Sequence, residues 1–161
     1  MTQSFRRKRN RLPLDDYRRA ACYALTIGTA ERKPLFAVEA TVQLCLDALR
    51  RCGEGSGFSV LAYCFMPDHL HLLLEGEDGA DLVKFVSRFK QQSGYLYRRS
   101  RPDSGNLWQK SYHDHVTRSE EDPLQIAKYI AGNPVRAGLV ESCEDYPFSG
   151  SFVWGRDVFC L

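Results

Sequence analysis

The chain has 161 residues, 43% of them hydrophobic, which predicts one domain with its own core and excludes a disordered chain. The formal net charge is only +2, yet it is segregated: residues 1–19 hold seven basic side chains against two acidic ones, and residues 84–101 hold six with no acid. No apolar run approaches the roughly 20 residues that cross a bilayer and no signal sequence is visible, so no membrane association and a cytoplasmic location are expected.

Residues 1–16 read as a basic arm lying over the domain or over its ligand. Ala20–Thr29 is rich in strand formers. Pro34 to Arg51 follows, with Val38, Val42, Cys45, Leu46 and Leu49 at helical spacing, and Gly53, Gly55 and Gly57 end it. Phe58–Phe65 and His69–Glu75 read as two strands paired across a turn at Pro67-Asp68. A second helix is expected from about Asp81 to Arg99, with Leu82, Phe85, Val86 and Phe89 as its apolar stripe. Leu107–Thr117 is a further strand. Asp122 then caps a last helix, with Pro123 at its first position.

This order predicts an α+β fold, a ferredoxin-like β-α-β-β-α-β arrangement of an antiparallel sheet with helices on one face, plus a C-terminal helix. The expected organisation is an arm (1–16), a domain (17–142) and a tail packed on it (143–161). Of the six cysteines none forms a Cys-x-x-Cys pair, so no zinc knuckle is present and reduced, mostly structural thiols are expected.

The segment His69-Leu70-His71-Leu72-Leu73-Leu74-Glu75 carries the chemistry. In a strand alternate side chains share a face, so Leu70, Leu72 and Leu74 point to the core while His69 and His71 point the other way. Two imidazoles about 7 Å apart along a strand can converge on one ion. On a helix they would diverge by about 200°. Two half-buried histidines without a metal are the simpler alternative. A second pair, His113 and His115, also lies in an expected strand. Its alternate face of Tyr112, Asp114 and Val116 is a less clean core face, so His69 and His71 are preferred as ligands. His113 and His115 are left as neighbours of the ligands, phosphate contacts or substitutes in the metal site.

A two-histidine site needs at least one more donor and open positions for substrate. Tyr129 and Asn133, four residues apart, would share one helical face. Asn133 offers a carbonyl oxygen, and Tyr129 a phenolic oxygen that a metal-polarised phosphate could accept as nucleophile. Packing of Tyr129 on the sheet and capping by Asn133 are the alternative. Pro134 disfavours helical geometry at Asn133 and predicts a helix end or kink there.

Three ordered segments, YCFMPDHLHLLL (Tyr63–Leu74), LWQKSYHDHVTR (Leu107–Arg118) and KYIAGNPVRAGLV (Lys128–Val140), resemble the single-tyrosine HUH transposases, and more narrowly the REP-associated tyrosine transposases of bacteria. With the Arg-rich start and the Asp145–Phe152 tail the resemblance covers most of the chain. Gly132 departs from it, standing where relatives often carry a bulky residue.

The resemblance implies a ferredoxin-like fold, His69 and His71 as the metal pair, Asn133 as third ligand where related transposases commonly have Gln, and Tyr129 as nucleophile. It implies Mg²⁺ or Mn²⁺. Ligand type alone favours tighter binding of Mn²⁺, Co²⁺, Ni²⁺ or Zn²⁺. It also implies cutting of single-stranded DNA through a 5′-phosphotyrosine with a free 3′-OH, at repetitive palindromes that fold as hairpins. Arg6, Arg7, Lys8, Arg9 and Arg11 of the arm and Lys84, Arg88, Lys90, Arg98 and Arg99 of the second helix are then the expected phosphate contacts. Tyr95, Tyr97 or Trp108 would be platforms for splayed bases. A monomer is expected, the alternative being a dimer that exchanges tyrosine helices. Two rival functions stay open, a non-catalytic hairpin-binding module and a metal phosphodiesterase that uses water.

Overall fold

The computed structural model describes residues 18, 20–117 and 121–160. The arm, with Arg6, Arg7, Lys8, Arg9 and Arg11, lies outside the described residues.

Strands β1 (Ala21–Gly28), β2 (Phe58–Met66), β3 (His69–Gly76), β4 (His113–Val116) and β5 (Ser149–Gly150) form one sheet in the order β4-β1-β3-β2-β5, and every neighbouring pair is antiparallel. Helix α1 (Glu39–Gly53) joins β1 to β2, and α2 (Leu82–Ser100) joins β3 to β4. This is the expected ferredoxin-like order, with the histidine strand β3 central.

Alternation along the strands assigns two faces. Tyr23, Leu25, Ile27, Leu70, Leu72 and Leu74 pack under α1 and α2. The opposite face carries Cys22, Ala62, Cys64 and Leu73 under α3 (Pro123–Ala131) and Tyr146 of the tail. Helices therefore cover both faces, where the sequence suggested one. That second layer buries Leu73 completely although it shares a face with the histidines.

Helix starts follow side-chain chemistry. Asp81 Oδ1 accepts from the Lys84 amide at 3.0 Å, and Asp122 Oδ1 accepts from the Leu124 amide at 2.9 Å, each satisfying an orphan donor of the first turn. Helix α3 stops at Ala131, and a separate turn, α4 (Asn133–Arg136), follows Gly132. The break falls where Asn133-Pro134 predicted one.

The fourth strand is shorter than the expected Leu107–Thr117. Gly28 accepts from the Gln109 amide at 3.0 Å, whereas Thr26 pairs with His113. One residue on β1, Ile27, thus faces three on the other strand, and the surplus of two within 110–112 leaves the ladder.

Strand β5 is not among the elements expected from the sequence. It is held to β2 by pairing at Tyr63 and Cys64, by the Tyr146 hydroxyl donating to Phe65 O at 2.5 Å, and by Phe65 N donating to Phe148 O at 2.9 Å. The guanidinium of Arg156, in α5 (Arg156–Phe159), gathers the carbonyls of Cys143, Glu144 and Tyr146. Cys22, Cys45, Cys52 and Cys64 are free and buried. Cys143 and Cys160 are joined by a disulfide, which departs from the expectation of reduced thiols; the folded-back tail brings their Cα atoms to 5.6 Å. Among the described residues no helix is long and apolar enough to cross a membrane.

Candidate active site

His69 and His71 open the central strand at its Pro67-Asp68 end. Their Nε2 atoms stand 3.0 Å apart, with the rings edge to face. Each other nitrogen is held from outside. Asp68 Oδ1 lies 2.6 Å from His69 Nδ1, and Thr26 Oγ1 lies 3.2 Å from His71 Nδ1. A carboxylate can only accept, so it fixes the His69 proton on Nδ1 and leaves the Nε2 lone pair facing His71. The threonine hydroxyl can donate or accept, so it tolerates either tautomer of His71. Asp68 is itself anchored by Arg32, whose Nε lies 3.3 Å from Oδ2. Arg32 follows Glu31 in a turn where both residues have φ 55°, a conformation disfavoured for side chains with a Cβ.

Burial pushes the His71 imidazole down to about 4, helped by the electrostatics of neighbouring His69, Arg136 and Arg32. It is therefore neutral at pH 7, with one ring nitrogen offering a lone pair. Cys64 pairs with His71 across β2 and β3, but burial pushes its thiol up to about 12, so it stays protonated and is a poor ligand.

A divalent metal fits this pair. Nitrogen ligands at about 2.1 Å from an ion and at right angles to each other lie about 3.0 Å apart, and the Nε2 atoms have that spacing. Among the described residues no group of three His, Cys, Asp or Glu side chains could hold an ion.

A cavity of about 290 Å³ brings His71, His113, His115, Tyr129 and Asn133 together, walled by Thr26, Ile126 and Ile130. Helix α3 positions Tyr129 by burying Ala127 and Ile130 on the sheet, which leaves the tyrosine 65% exposed. Arg136 Nη2 donates to Asn133 Oδ1 at 2.7 Å and to the Tyr129 carbonyl, and its guanidinium lies 3.8 Å over the Tyr129 ring. His113 and His115 share the face of His71, since His113 pairs with Thr26 and Thr26 with His71. They are exposed, and His115 Nε2 lies 3.8 Å from Glu121.

Sequence reasoning missed Thr26, Asp68, Arg32 and Arg136, which hold the predicted residues in place; only Asp68, adjacent to His69, carried a signal. It also missed Gln109. Gly28 lies between Gln109 on one side and His69 on the other, and a Cβ there would come within 2.7–3.0 Å of the Gln109 carboxamide. The missing side chain lets Gln109 lean across β1 toward the histidines.

The second-helix cations divide. Lys84, Arg88, Arg98 and Arg99 are exposed, but α2 lies on the sheet face away from the histidines. Lys90 Nζ instead donates to Gln109 O at 2.6 Å and to Lys110 O, holding the loop before β4. Of the suggested stacking residues, Tyr97 and Trp108 are core, with Trp108 Nε1 donating to Ser93 at 2.8 Å; Tyr95 is 55% exposed.

Two histidines that converge on a central strand thus share their sheet face with a cavity lined by a tyrosine on a helix of the same chain. The chain belongs to the IS200-like transposase family, whose model matches residues 19–133. It is 26% identical over 153 residues to a Haemophilus influenzae protein provisionally named a REP-associated tyrosine transposase, covering 89% of this chain and 85% of that one. It is 28% identical over 118 residues to the REP-associated tyrosine transposase of Escherichia coli K12, covering 72% and 66%. A solved REP-associated tyrosine transposase bound to a REP hairpin has the same fold, with a TM-score of 0.69 at 23% identity over 92% of this chain and 82% of that one.

Proposed function

We propose that this transposase is a metal-dependent endonuclease and strand transferase of single-stranded DNA that works through Tyr129. The observation that carries the reading is one cavity shared by His71, Tyr129 and Asn133. His69 and His71 would hold a divalent ion, Mg²⁺ or Mn²⁺, with Asn133 as the further ligand. When bound, that ion polarises the scissile phosphate.

The phenol has an ordinary pKa of about 10 and needs such an electrophile. Tyr129, open to solvent, gives its proton to water as its oxygen bonds to phosphorus. The bond from phosphorus to O3′ breaks, and the electron pair leaves on O3′, which takes a proton. The products are a 5′-phosphate ester on Tyr129 and a free 3′-OH. One phosphate ester replaces another, so attack by a 3′-OH reverses the step and rejoins DNA.

Hairpin-forming repetitive palindromic DNA is the proposed substrate, in keeping with what the relatives are named for. Arg6, Arg7, Lys8, Arg9 and Arg11 with Lys84, Arg88, Arg98 and Arg99 would neutralise phosphates outside the cavity. That Tyr129 lines the cavity of its own chain supports a monomer as the working form.

The test is incubation of a hairpin-bearing single strand with the protein and Mn²⁺ or Mg²⁺. A covalent protein–DNA adduct forms and is absent in Tyr129→Phe. An adduct that survives the substitution moves the nucleophile elsewhere. Cleavage retained in Tyr129→Phe with no adduct selects hydrolysis by water. Binding without cleavage under every metal selects a non-catalytic binding module.

A further inference from the structure

Arg136 is the last residue of α4, and the fold aims it backwards. The break at Gly132 turns the chain so that the guanidinium returns over α3 to the Tyr129 ring at 3.8 Å. Gly132 makes the space, since a Cβ there would lie 2.8 Å from Arg136 Nη1. Nη2 is occupied by Tyr129 O and by Asn133 Oδ1 at 2.7 Å. A guanidinium has five N–H donors, so three, on Nη1 and Nε, remain. Among the described residues no carboxylate pairs with it. Arg32, the other guanidinium beside the histidines, is by contrast neutralised by Asp68.

An unneutralised guanidinium stacked on a nucleophile, with an open edge of donors, is complementary to a phosphodiester. We infer that Arg136 is the seat of the scissile phosphate: its open N–H edge takes the non-bridging oxygens while its stack on Tyr129 fixes the phenol beside phosphorus. This rests on Tyr129 as nucleophile. Hydrogen bonds to those oxygens strengthen as charge develops on them, so Arg136 contributes to the rate as well as to binding.

Two readouts test it with the full chain. In the first, binding of a hairpin-bearing single strand is measured in EDTA at several salt concentrations. Arg136→Ala is expected to flatten the slope of log affinity against log salt by about 0.7–0.9, the loss of one phosphate contact, while Arg136→Lys keeps the slope. In the second, the rate of adduct formation is measured at saturating DNA with Mn²⁺. Arg136→Ala is expected to slow it by about 100-fold or more. Arg136→Lys restores part of the rate, and Arg136→Met, which keeps bulk over the ring without charge, does not. An unchanged slope with a slower rate means that Arg136 only braces α3, and overturns the proposal. A flattened slope with an unchanged rate places it on another phosphate, and also overturns it. If the wild type forms no adduct, the Tyr129 reading falls by itself, and the slope alone decides whether Arg136 binds phosphate.

Discussion

His69 and His71 bring their Nε2 atoms to 3.0 Å from each other, because the strand puts both on one face and Asp68 and Thr26 hold the far side of each ring. Removing either imidazole leaves one nitrogen donor. Mn²⁺ binding by the free protein, measured by titration calorimetry, is expected to weaken at least tenfold in His69→Ala and in His71→Ala. Unchanged affinity in the double variant would put the ion elsewhere.

Asp68→Asn keeps the shape but replaces the carboxylate that fixes the His69 proton. Partners of this kind tune metal affinity by about 10–100-fold when lost. The same calorimetry reads it, and full affinity in Asp68→Asn would show that the carboxylate has no part in orienting His69.

Thr26→Val would strip the hydroxyl from His71 Nδ1 and leave that nitrogen without its 3.2 Å partner. An unsatisfied buried polar group costs about 1–3 kcal/mol. Urea unfolding of the metal-free protein should show a loss in that range, and a loss under about 0.5 kcal/mol would mean that the imidazole finds another partner.

Tyr129→Phe removes only a solvent-facing hydroxyl, since the residue is 65% exposed and its ring still lies under Arg136. The unfolding free energy should stay within about 0.5 kcal/mol of the wild type, even as adduct formation vanishes. A large stability loss would mark Tyr129 as a packing residue.

Tyr146→Phe tests the tail. Its hydroxyl donates to Phe65 O at the end of β2, next to the histidine strand. Loss of this buried bond should destabilise the protein by about 1–3 kcal/mol in urea unfolding. Unchanged stability would mean that pairing through β5 holds the tail unaided.

Much of this architecture was legible because it rests on local pattern. Leu70, Leu72 and Leu74 set the faces of β3, and Asp122-Pro123 set the start of α3. The two-faced layering was not legible, because the burial of Leu73 depends on a helix fifty residues further along the chain. Nor was β5, whose two residues hold no period and pair only because Tyr146 and Phe148 anchor the tail to Phe65. Within the candidate site, repetition and spacing found the histidines, and family resemblance found Tyr129. Thr26, Gln109 and Arg136 escaped because strand register and a helix break bring them in, and neither leaves a trace in spacing. The shared face of all four histidines escaped for the same reason, as it follows from pairing through Thr26.

The placement of Tyr129 over the sheet of its own chain bears on reaction order. A tyrosine lent by a second molecule would make the working species a product of two concentrations, and turnover per molecule would collapse on dilution. Here α3 packs on β2 and β3 of the same chain and Tyr129 lines a cavity with His71, so on the proposed mechanism the folded core sets their local concentration. At saturating DNA the adduct rate per molecule should then be flat over a wide range of protein concentration. Each molecule would hold one cut end at a time, and joining two ends would be a sequence of events on one phenol.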